Sequence, residues 1–338
     1  MSRRGVEAKP PWDKVPRPVR VEAERVLGAR IARASRIYGG VAASATFRLT
    51  LADGRRAFFK GIWQASNDFM HRALVQEERV YRELTDAISP WAPAFLGSIR
   101  VDDWHALLLE DLGPADVPPW TARAVRDAAR EFAAFHSKNE GRSFPAWVPP
   151  WNELLSAESR LWRGILDEAG RLAAVASLAG ERMSEAHEWV ARHGPRLHAI
   201  AERLHEPHPP HALLYLDARA DNVRVPPGRL RVFDWNWVAV GPAETDIAAF
   251  AEGITIDGGP LPERFVDEYR RHRSVNDEAL DASVAALAGL FASSASGPPR
   301  PDLPRLRSWQ RRQFKVCLGW AARRFALPLP GWLAAVPN

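Results

Sequence analysis

Residues 215–222 read YLDARADN, and residues 233–235 read FDW. Between them lie two short apolar runs, Val223–Val225 and Leu230–Phe233, separated by a Pro-Pro-Gly turn. That pattern predicts a compact hairpin, because the turn residues favour chain reversal and the flanking runs favour strands. The hairpin would bring the loop 215–222, which precedes it, close to Asp234, which follows it. These residues therefore form the starting point for interpreting the fold.

Three polar residues in this stretch have the types and order that phosphoryl transfer requires. The reaction needs a group that orients an acceptor hydroxyl and takes its proton, together with oxygen ligands for Mg²⁺. Asp217 is followed five residues later by Asn222, and Asp234 ends the hairpin. A lone Asp more often caps a turn, but the spacing of all three favours a site. We predict Asp217 as the base and Asn222 and Asp234 as the metal ligands.

The same residues resemble the catalytic segment of the aminoglycoside phosphotransferase family, which is related to choline kinase and the protein kinases. Members show H-G-D-x-x-x-x-N, then (I/F)-D-W, then G-P-x-x-x-D-(L/I)-A, and the last motif is GPAETDIA at residues 241–248 here. Tyr215 replaces the family's first loop His and is expected to brace the loop in its place. Asp246 is expected to hold the loop from below.

The resemblance implies an α+β, two-lobed protein-kinase-like fold, with a small antiparallel-sheet N-lobe and a larger, mostly helical C-lobe. Residues 1–15 are expected to be a flexible lead-in. The N-lobe is expected over residues 16–110, and the C-lobe, with the catalytic loop and the acceptor-binding helices, over residues 111–338.

The local patterns agree with this division. Residues 46–51 alternate, and Asp53-Gly54 predicts a hairpin into a return strand over 56–60. The other predicted elements are helices over 19–27, 69–85 and 121–138 (capped by Thr121), strands over 95–101, 105–110 and 213–216, two helices within 152–203, and a helical end interrupted by a loop over 292–304.

The resemblance also identifies a lysine and its partner in the N-lobe. Lys60 ends the strand AFFK and resembles the lysine that contacts the α- and β-phosphates of ATP. Such a lysine is usually held by a glutamate of the following helix. The family pattern over residues 77–84 favours Glu77 over Glu78 for that role.

Two further segments are expected to contact ATP. Residues 39–46 occupy the position of the phosphate-covering loop, in which Ser44 is expected to contact the phosphates, although the loop has fewer glycines than the family pattern. Residues 107–112 (LLLEDL) resemble the connector that pairs with adenine, so Glu110 and Leu112 are expected to bind the cofactor.

Several other residues have competing interpretations. Arg219 lies within the loop and is expected either to touch a phosphate or substrate anion or to be a structural surface arginine. His136 ends an apolar helix face and is expected in the core. His205, His208 and His211 suggest zinc, but the intervening prolines extend the chain and splay the imidazoles, so we expect no metal there.

Composition excludes several classes of protein. The formal charge of +5 is concentrated in the arginine-rich beginning and lacks a recognisable nucleic-acid module, so no nucleic-acid partner is expected. Cys317 is the only cysteine, so no intrachain disulfide forms. The sequence contains no apolar run of membrane-spanning length and no signal peptide, and we expect a cytoplasmic protein without a membrane partner.

The sequence thus predicts an ATP- and Mg²⁺-dependent kinase that phosphorylates a hydroxyl of a small molecule. Aminoglycosides, other antibiotics such as macrolides, amino sugars, choline-like alcohols and other metabolites all stay open as acceptors. The alternative is a catalytically weak or inactive nucleotide-binding pseudokinase, which Tyr215 and the glycine-poor loop favour.

Overall fold

A five-stranded antiparallel sheet forms from the alternating residues of the N-terminal third. The computed structural model describes residues 9–38, 44–63, 68–217, 219–301 and 303–338. Among these residues the sheet has the order β1-β2-β3-β5-β4. Its strands are β1 (Ile31–Arg36), β2 (Ala45–Leu51), β3 (Arg56–Trp63), β4 (Phe95–Val101) and β5 (Trp104–Glu110).

One face of this sheet is apolar and is covered by helix α1 (Arg17–Leu27). Phe47 and Leu49 of β2 and Phe59 of β3 are fully buried there with Val19 of the helix. Successive residues of a strand face opposite sides. Phe58 and Lys60 therefore point to the other side of β3, toward the rest of the molecule.

Helix α2 (Asp68–Glu83) lies against that second face, followed by the short α3 (Thr85–Ile88). The predicted helix over 69–85 is confirmed. Leu74, Val80 and Tyr81 are buried at the helical spacing that predicted it.

The remainder is mostly helical, as the fold-class prediction requires. Helix α4 starts where it was predicted, because the Thr121 hydroxyl accepts a hydrogen bond from the Ala124 amide at 3.1 Å. The helices are α4 (Ala122–Asn139), α5 (Trp151–Leu154), α6 (Leu161–Asp167), α7 (Ala169–Ser177), α8 (Met183–Glu202), α9 (Ala243–Ile256), α10 (Pro262–Arg270), α11 (Asp277–Ala295) and α12 (Leu306–Arg324).

Two small sheets lie within the helical part and frame the loop 215–222. The first pairs β6 (His211–Leu214) with β9 (Ala239–Pro242), and the second pairs β7 (Val223–Arg224) with β8 (Arg231–Val232). The predicted hairpin is confirmed in shortened form.

Three predictions in this part were wrong. Residues 239–242 were expected to be helical, but they form β9, because a short apolar run does not distinguish a buried strand from a helix. Residues 152–203 contain parts of four helices rather than two, and α11 continues through Ala295 into the predicted loop.

Within the described residues, no helix is long and apolar enough to span a membrane.

Candidate active site

The loop 215–217 is held by one buried carboxylate. Asp246, in the first turn of α9, accepts hydrogen bonds from the backbone amides of Tyr215 and Leu216, each at 2.6 Å. The same carboxylate lies 3.1 Å from Nε2 of His136, whose Nδ1 is 2.9 Å from the Tyr269 hydroxyl. The predicted supporting position of Asp246 and the core position of His136 are both confirmed. Leu216 has a φ of +62°, a strained value that these bonds enforce.

Tyr215 links the loop to the segment that carries Asp234. Its hydroxyl donates a hydrogen bond to the backbone carbonyl of Phe233, and its ring packs edge-on against Trp235 at 4.8 Å between centroids. Burial raises the pKa of Tyr215 well above its ordinary value, so the hydroxyl stays a donor. Tyr215 thus supplies the contact that was expected of a bracing residue.

Asp217 and Asn222 contact each other across the loop. The Asn222 amide nitrogen donates to the backbone oxygen of Asp217 at 3.1 Å and to its Oδ2 at 2.9 Å. The Nε of Arg219 lies 3.1 Å from Oδ1 of Asp217. Burial raises the pKa of Asp217 to about 7, against the opposing charge of Arg219. A carboxyl with that pKa is suited to exchanging a proton near neutral pH.

Lys60 joins the two lobes. Its Nζ lies 2.6 Å from Oε2 of Glu77 on α2 and 2.7 Å from Oδ1 of Asp234. Glu78 instead pairs with Arg100 and other groups. The predicted contact of Lys60 with Glu77, rather than with Glu78, is therefore confirmed. Asp234 was expected to be a Mg²⁺ ligand, and in the structure its carboxylate is paired with the Lys60 ammonium.

Lys60, Glu77 and Asp234 shift one another's pKa values. Burial alone would lower the pKa of Lys60, but the charges of Asp234 and Glu77 more than offset this and raise it above the ordinary lysine value. Burial also raises the pKa of Glu77 to about 7, although Lys60 opposes this. Against the effect of burial, Lys60 holds the pKa of Asp234 below its ordinary value. The ammonium is therefore the fixed charge at the centre of the site.

The predicted metal ligands fit a magnesium ion by their chemistry. Asn222 uses its amide nitrogen for Asp217, and its amide oxygen is the atom that would bind a cation. Asp234 adds a carboxylate whose side chain is 27% exposed. Mg²⁺ usually takes one or two such groups and completes its shell with phosphates and water. No cluster of three or more acidic, His or Cys side chains suited to a metal occurs in the described part of the chain.

The connector forms a narrow pocket between the lobes, and Leu112 is in its wall. Glu110 belongs to the connector that is expected to contact the cofactor, and its carboxylate lies 2.6 Å from Nη2 of Arg231 and accepts from the Ala94 amide at 3.0 Å. The bond to Arg231 fastens the connector to the C-lobe. The expected pairing of the connector backbone with adenine stays a prediction.

Phe58, Phe233 and Arg224 are among the pocket residues that the sequence did not single out as site residues. Phe58 and Phe233 face each other with centroids 6.4 Å apart, and the Arg224 guanidinium lies 5.0 Å from the Phe233 ring centre. The alternation in AFFK was the available signal, because it places Phe58 on the same face of β3 as Lys60. No local sequence pattern predicts that Phe233 and Arg224 line this pocket.

Only some of the remaining predicted site residues are among the residues that the structure describes. Ser44 is buried directly before β2, whereas residues 39–43 of the predicted phosphate loop and Ala218 of the predicted catalytic loop lie outside the described residues. Arg219 is not a surface arginine: its side chain is 19% exposed, and its guanidinium lies 5.3 Å from the ring centre of Trp309 on α12. Trp309, which the sequence did not single out, therefore lies beside the loop.

Solved structures of small-molecule kinases share this fold. A spectinomycin phosphotransferase bound to ADP and spectinomycin matches with a TM-score of 0.58 at 14% identity, covering 94% of this chain and 96% of its own. An amicoumacin kinase bound to AMP-PNP and Ca²⁺ matches with a TM-score of 0.55 at 10% identity, covering 87% and 92%. A choline/ethanolamine kinase family protein from Mesorhizobium loti gives 0.54 at 16%, covering 90% and 92%.

At these identities the matches show the fold, which is the two-lobed kinase-like fold predicted from the catalytic motifs. No family model and no curated protein matches the chain.

Proposed function

We propose that this protein is an ATP- and Mg²⁺-dependent phosphotransferase that transfers the γ-phosphoryl group to a hydroxyl of a small molecule. The observation that carries the proposal is the position of Lys60. Its ammonium lies within 2.7 Å of carboxylates from both lobes, Glu77 and Asp234. A cation fixed between the lobes, beside the Asp217 loop, is the arrangement that anchors nucleotide phosphates in this fold.

Each residue has a distinct part in the proposed reaction. Asp217 orients the acceptor hydroxyl and takes its proton, and Lys60 binds the phosphates while Glu77 holds its ammonium in place. Asn222 and Asp234 would hold Mg²⁺, and the bound metal would neutralise charge on the phosphate oxygens.

The proposed place for the base of ATP is the pocket beside the connector. We propose that it stacks on Phe58, with Leu112 and the connector backbone at its edge and Arg224 on the opposite side. The proposed position of Ser44 is beside the phosphates, since it directly precedes β2.

The proposed acceptor is a small molecule with a free hydroxyl. The matched structures support this class, because they are a spectinomycin phosphotransferase, an amicoumacin kinase and a member of the choline/ethanolamine kinase family. The experiment that identifies the acceptor is a coupled ADP-release assay of the full chain over a panel of hydroxylated antibiotics, amino sugars and amino alcohols.

The decisive variant is Asp217→Asn. We expect turnover of the acceptor found in the panel to fall by about 10²–10⁴-fold, because the base is lost. Calorimetry should show Mg²⁺-dependent ATP binding largely unchanged. Asp103→Asn, at the exposed turn between β4 and β5, is the matched control and should keep full turnover. Equal turnover by Asp217→Asn and the wild type would refute the role of Asp217. Tight Mg²⁺–ATP binding by a wild type that turns over nothing would favour a pseudokinase.

A further inference from the structure

The N-terminal segment 9–15 packs against the sheet of the N-lobe. It belongs to the stretch that was expected to be a flexible lead-in. A 3₁₀ turn begins at Trp12, whose ring lies edge-on to Phe47 and Phe59 with centroids 5.0 and 5.2 Å away. Val15 is fully buried in the same apolar cluster. The proposed function assigns no role to this segment.

Lys9, at the start of the segment, is held through both its backbone and its side chain. Its carbonyl accepts a hydrogen bond from Nη1 of Arg36 at 2.8 Å. Its ammonium donates to the Thr46 hydroxyl at 3.0 Å, and that hydroxyl donates in turn to the Ile37 carbonyl at 3.0 Å. Only 8% of Lys9 is exposed. The ammonium is therefore fixed at one point of the sheet.

That point is next to Lys60. Thr46 of β2 is the direct cross-strand partner of Lys60 on β3. Side chains of directly opposed residues lie on the same face of a sheet, with Cβ atoms about 4.5–5.5 Å apart. Thr46 is thus on the face from which Lys60 reaches Asp234, and the Lys9 ammonium bonded to it lies at the same end of the cleft. Burial raises the pKa of Asp234, and the charge of Lys9 is, after that of Lys60, among those that lower it.

The charge of Lys60 is already balanced without a nucleotide. Its ammonium lies within 2.7 Å of two carboxylates, those of Glu77 and Asp234. The phosphates of a nucleotide bring several further negative charges, which a single bound Mg²⁺ offsets only in part. A second ammonium beside Lys60 would supply positive charge there and leave both carboxylates in place.

We propose that Lys9 is a second phosphate-binding residue, whose ammonium donates to an oxygen of the phosphate chain of a nucleotide bound in the cleft. This rests on the proposed function, since it takes the cleft to be a nucleotide site. Trp12 is the positioning residue, because its contacts with Phe47 and Phe59 hold the segment that carries Lys9. The N-terminal segment is therefore part of the nucleotide site.

The test is a calorimetric titration of the full chain with Mg²⁺ and AMP-PNP, together with adenosine, which has no phosphate, as a competitor. We expect Lys9→Gln to weaken AMP-PNP binding about tenfold, because a hydrogen bond between charged groups is lost. Adenosine binding should stay unchanged. Lys9→Arg keeps the charge and should recover most of the affinity. Lys14→Gln, at an exposed position in the same segment, is the matched control and should bind as the wild type does.

A double-mutant cycle tests the role of Trp12. Trp12→Leu should weaken AMP-PNP binding several-fold in the wild-type background. It should have no effect in the Lys9→Gln background, because it acts through Lys9. Far-UV circular dichroism verifies that each variant is folded.

Failure of this inference is distinguishable from failure of the proposed function, since the readout needs no turnover. A wild type that binds no Mg²⁺–AMP-PNP would overturn the nucleotide site and the role of Lys9 with it. A wild type that binds AMP-PNP, with unchanged affinity in Lys9→Gln, would overturn the role of Lys9 alone. Equal weakening of AMP-PNP and adenosine binding would also overturn it, because Lys9 would then support the fold and not the phosphates.

Discussion

At the level of single residues, Tyr215 is the departure from the family motif that the structure explains. A tyrosine reaches the Phe233 carbonyl with its hydroxyl and packs against Trp235. A histidine, with an ordinary pKa near 6.5, would titrate close to neutral pH. Burial moves the pKa of Tyr215 upward, away from that range. The brace therefore keeps one protonation state near neutral pH, where Asp217, the proposed base, has a pKa raised to about 7 by burial.

We predict that Tyr215→Phe lowers the free energy of unfolding by about 0.5–1.5 kcal/mol, the usual value of one hydrogen bond. Turnover should fall modestly, because the ring still packs on Trp235 and Asp246 still holds the loop backbone. Urea denaturation and the ADP-release assay measure the two effects. Tyr38→Phe, at an exposed position, is the control. A Tyr215→Phe protein as stable as the wild type would show that the hydroxyl does not brace the loop.

Lys60 shows why single residues are not sufficient to define this site. Its ordinary chemistry is a solvated ammonium, yet here it is 7% exposed and lies between two carboxylates. Removing one partner of a buried charged group costs far more than the pair contributes on balance. Lys60, Glu77 and Asp234 therefore act as one unit. Strand β3, which carries Lys60, and helix α2, which carries Glu77, fix its position.

At the level of elements, helix α9 connects the loop 215–222 to the C-terminal helices. Its first turn carries Asp246, which holds the loop, and its middle carries Glu252, which is 3% exposed. Gln313 of α12 donates to Oε1 of Glu252 at 2.8 Å, while Oε2 has no partner in the described structure. Burial raises the pKa of Glu252 to about 8, although the Gln313 hydrogen bond opposes this.

This burial makes stability depend on pH. Between the ordinary glutamate value of 4.5 and about 8, the folded protein holds a proton on Glu252 that the unfolded chain has released. Stability from this group is therefore full below about 4.5 and is lost as the pH rises toward 8. We predict that Glu252→Gln becomes progressively more stable than the wild type across this window, by about 1.4 kcal/mol per pH unit.

The measurement is urea denaturation of both proteins at about pH 5.5 and at about pH 7.5, within that window. The difference in unfolding free energy between variant and wild type isolates Glu252, because all other groups are common to both. A difference that stays constant with pH would contradict the buried, protonated state of Glu252.

At the level of the whole molecule, the cleft is defined by contacts between lobes. Lys60 meets Asp234, Arg231 meets Glu110, and Phe58 faces Phe233. The first contact lies at the proposed phosphate end and the last at the proposed base end. Each contact joins residues more than 100 positions apart in the chain.

We predict that Phe58→Ala raises KM for ATP about tenfold with little change in kcat. Stacking of a base on an aromatic ring contributes about 1–3 kcal/mol, and a contact equally strong in ground and transition states acts on KM alone. Steady-state kinetics with the identified acceptor measure both constants. Phe58→Tyr keeps the ring and should restore the wild-type KM. An unchanged KM in Phe58→Ala would exclude stacking on this side chain.

The sequence by itself determined the features that depend on local chemistry. The alternation of β2 with the Asp53-Gly54 turn gave the central hairpin, Thr121 gave the start of α4, and the spacing of Asp217 and Asn222 gave the loop. Turn residues, helix caps and periodicity depend on residues only a few positions apart, so they can be recognised in the sequence before the fold is known.

Only the tertiary structure decided what depends on distant partners. It paired Lys60 with Asp234 across 174 positions, committed the Glu110 carboxylate to Arg231, and placed Phe233 opposite Phe58. It also made residues 239–242 a strand, because Leu213 and Val240 pair across two separate segments. Such pairings, and the burial that shifts each pKa, arise only when the chain is packed.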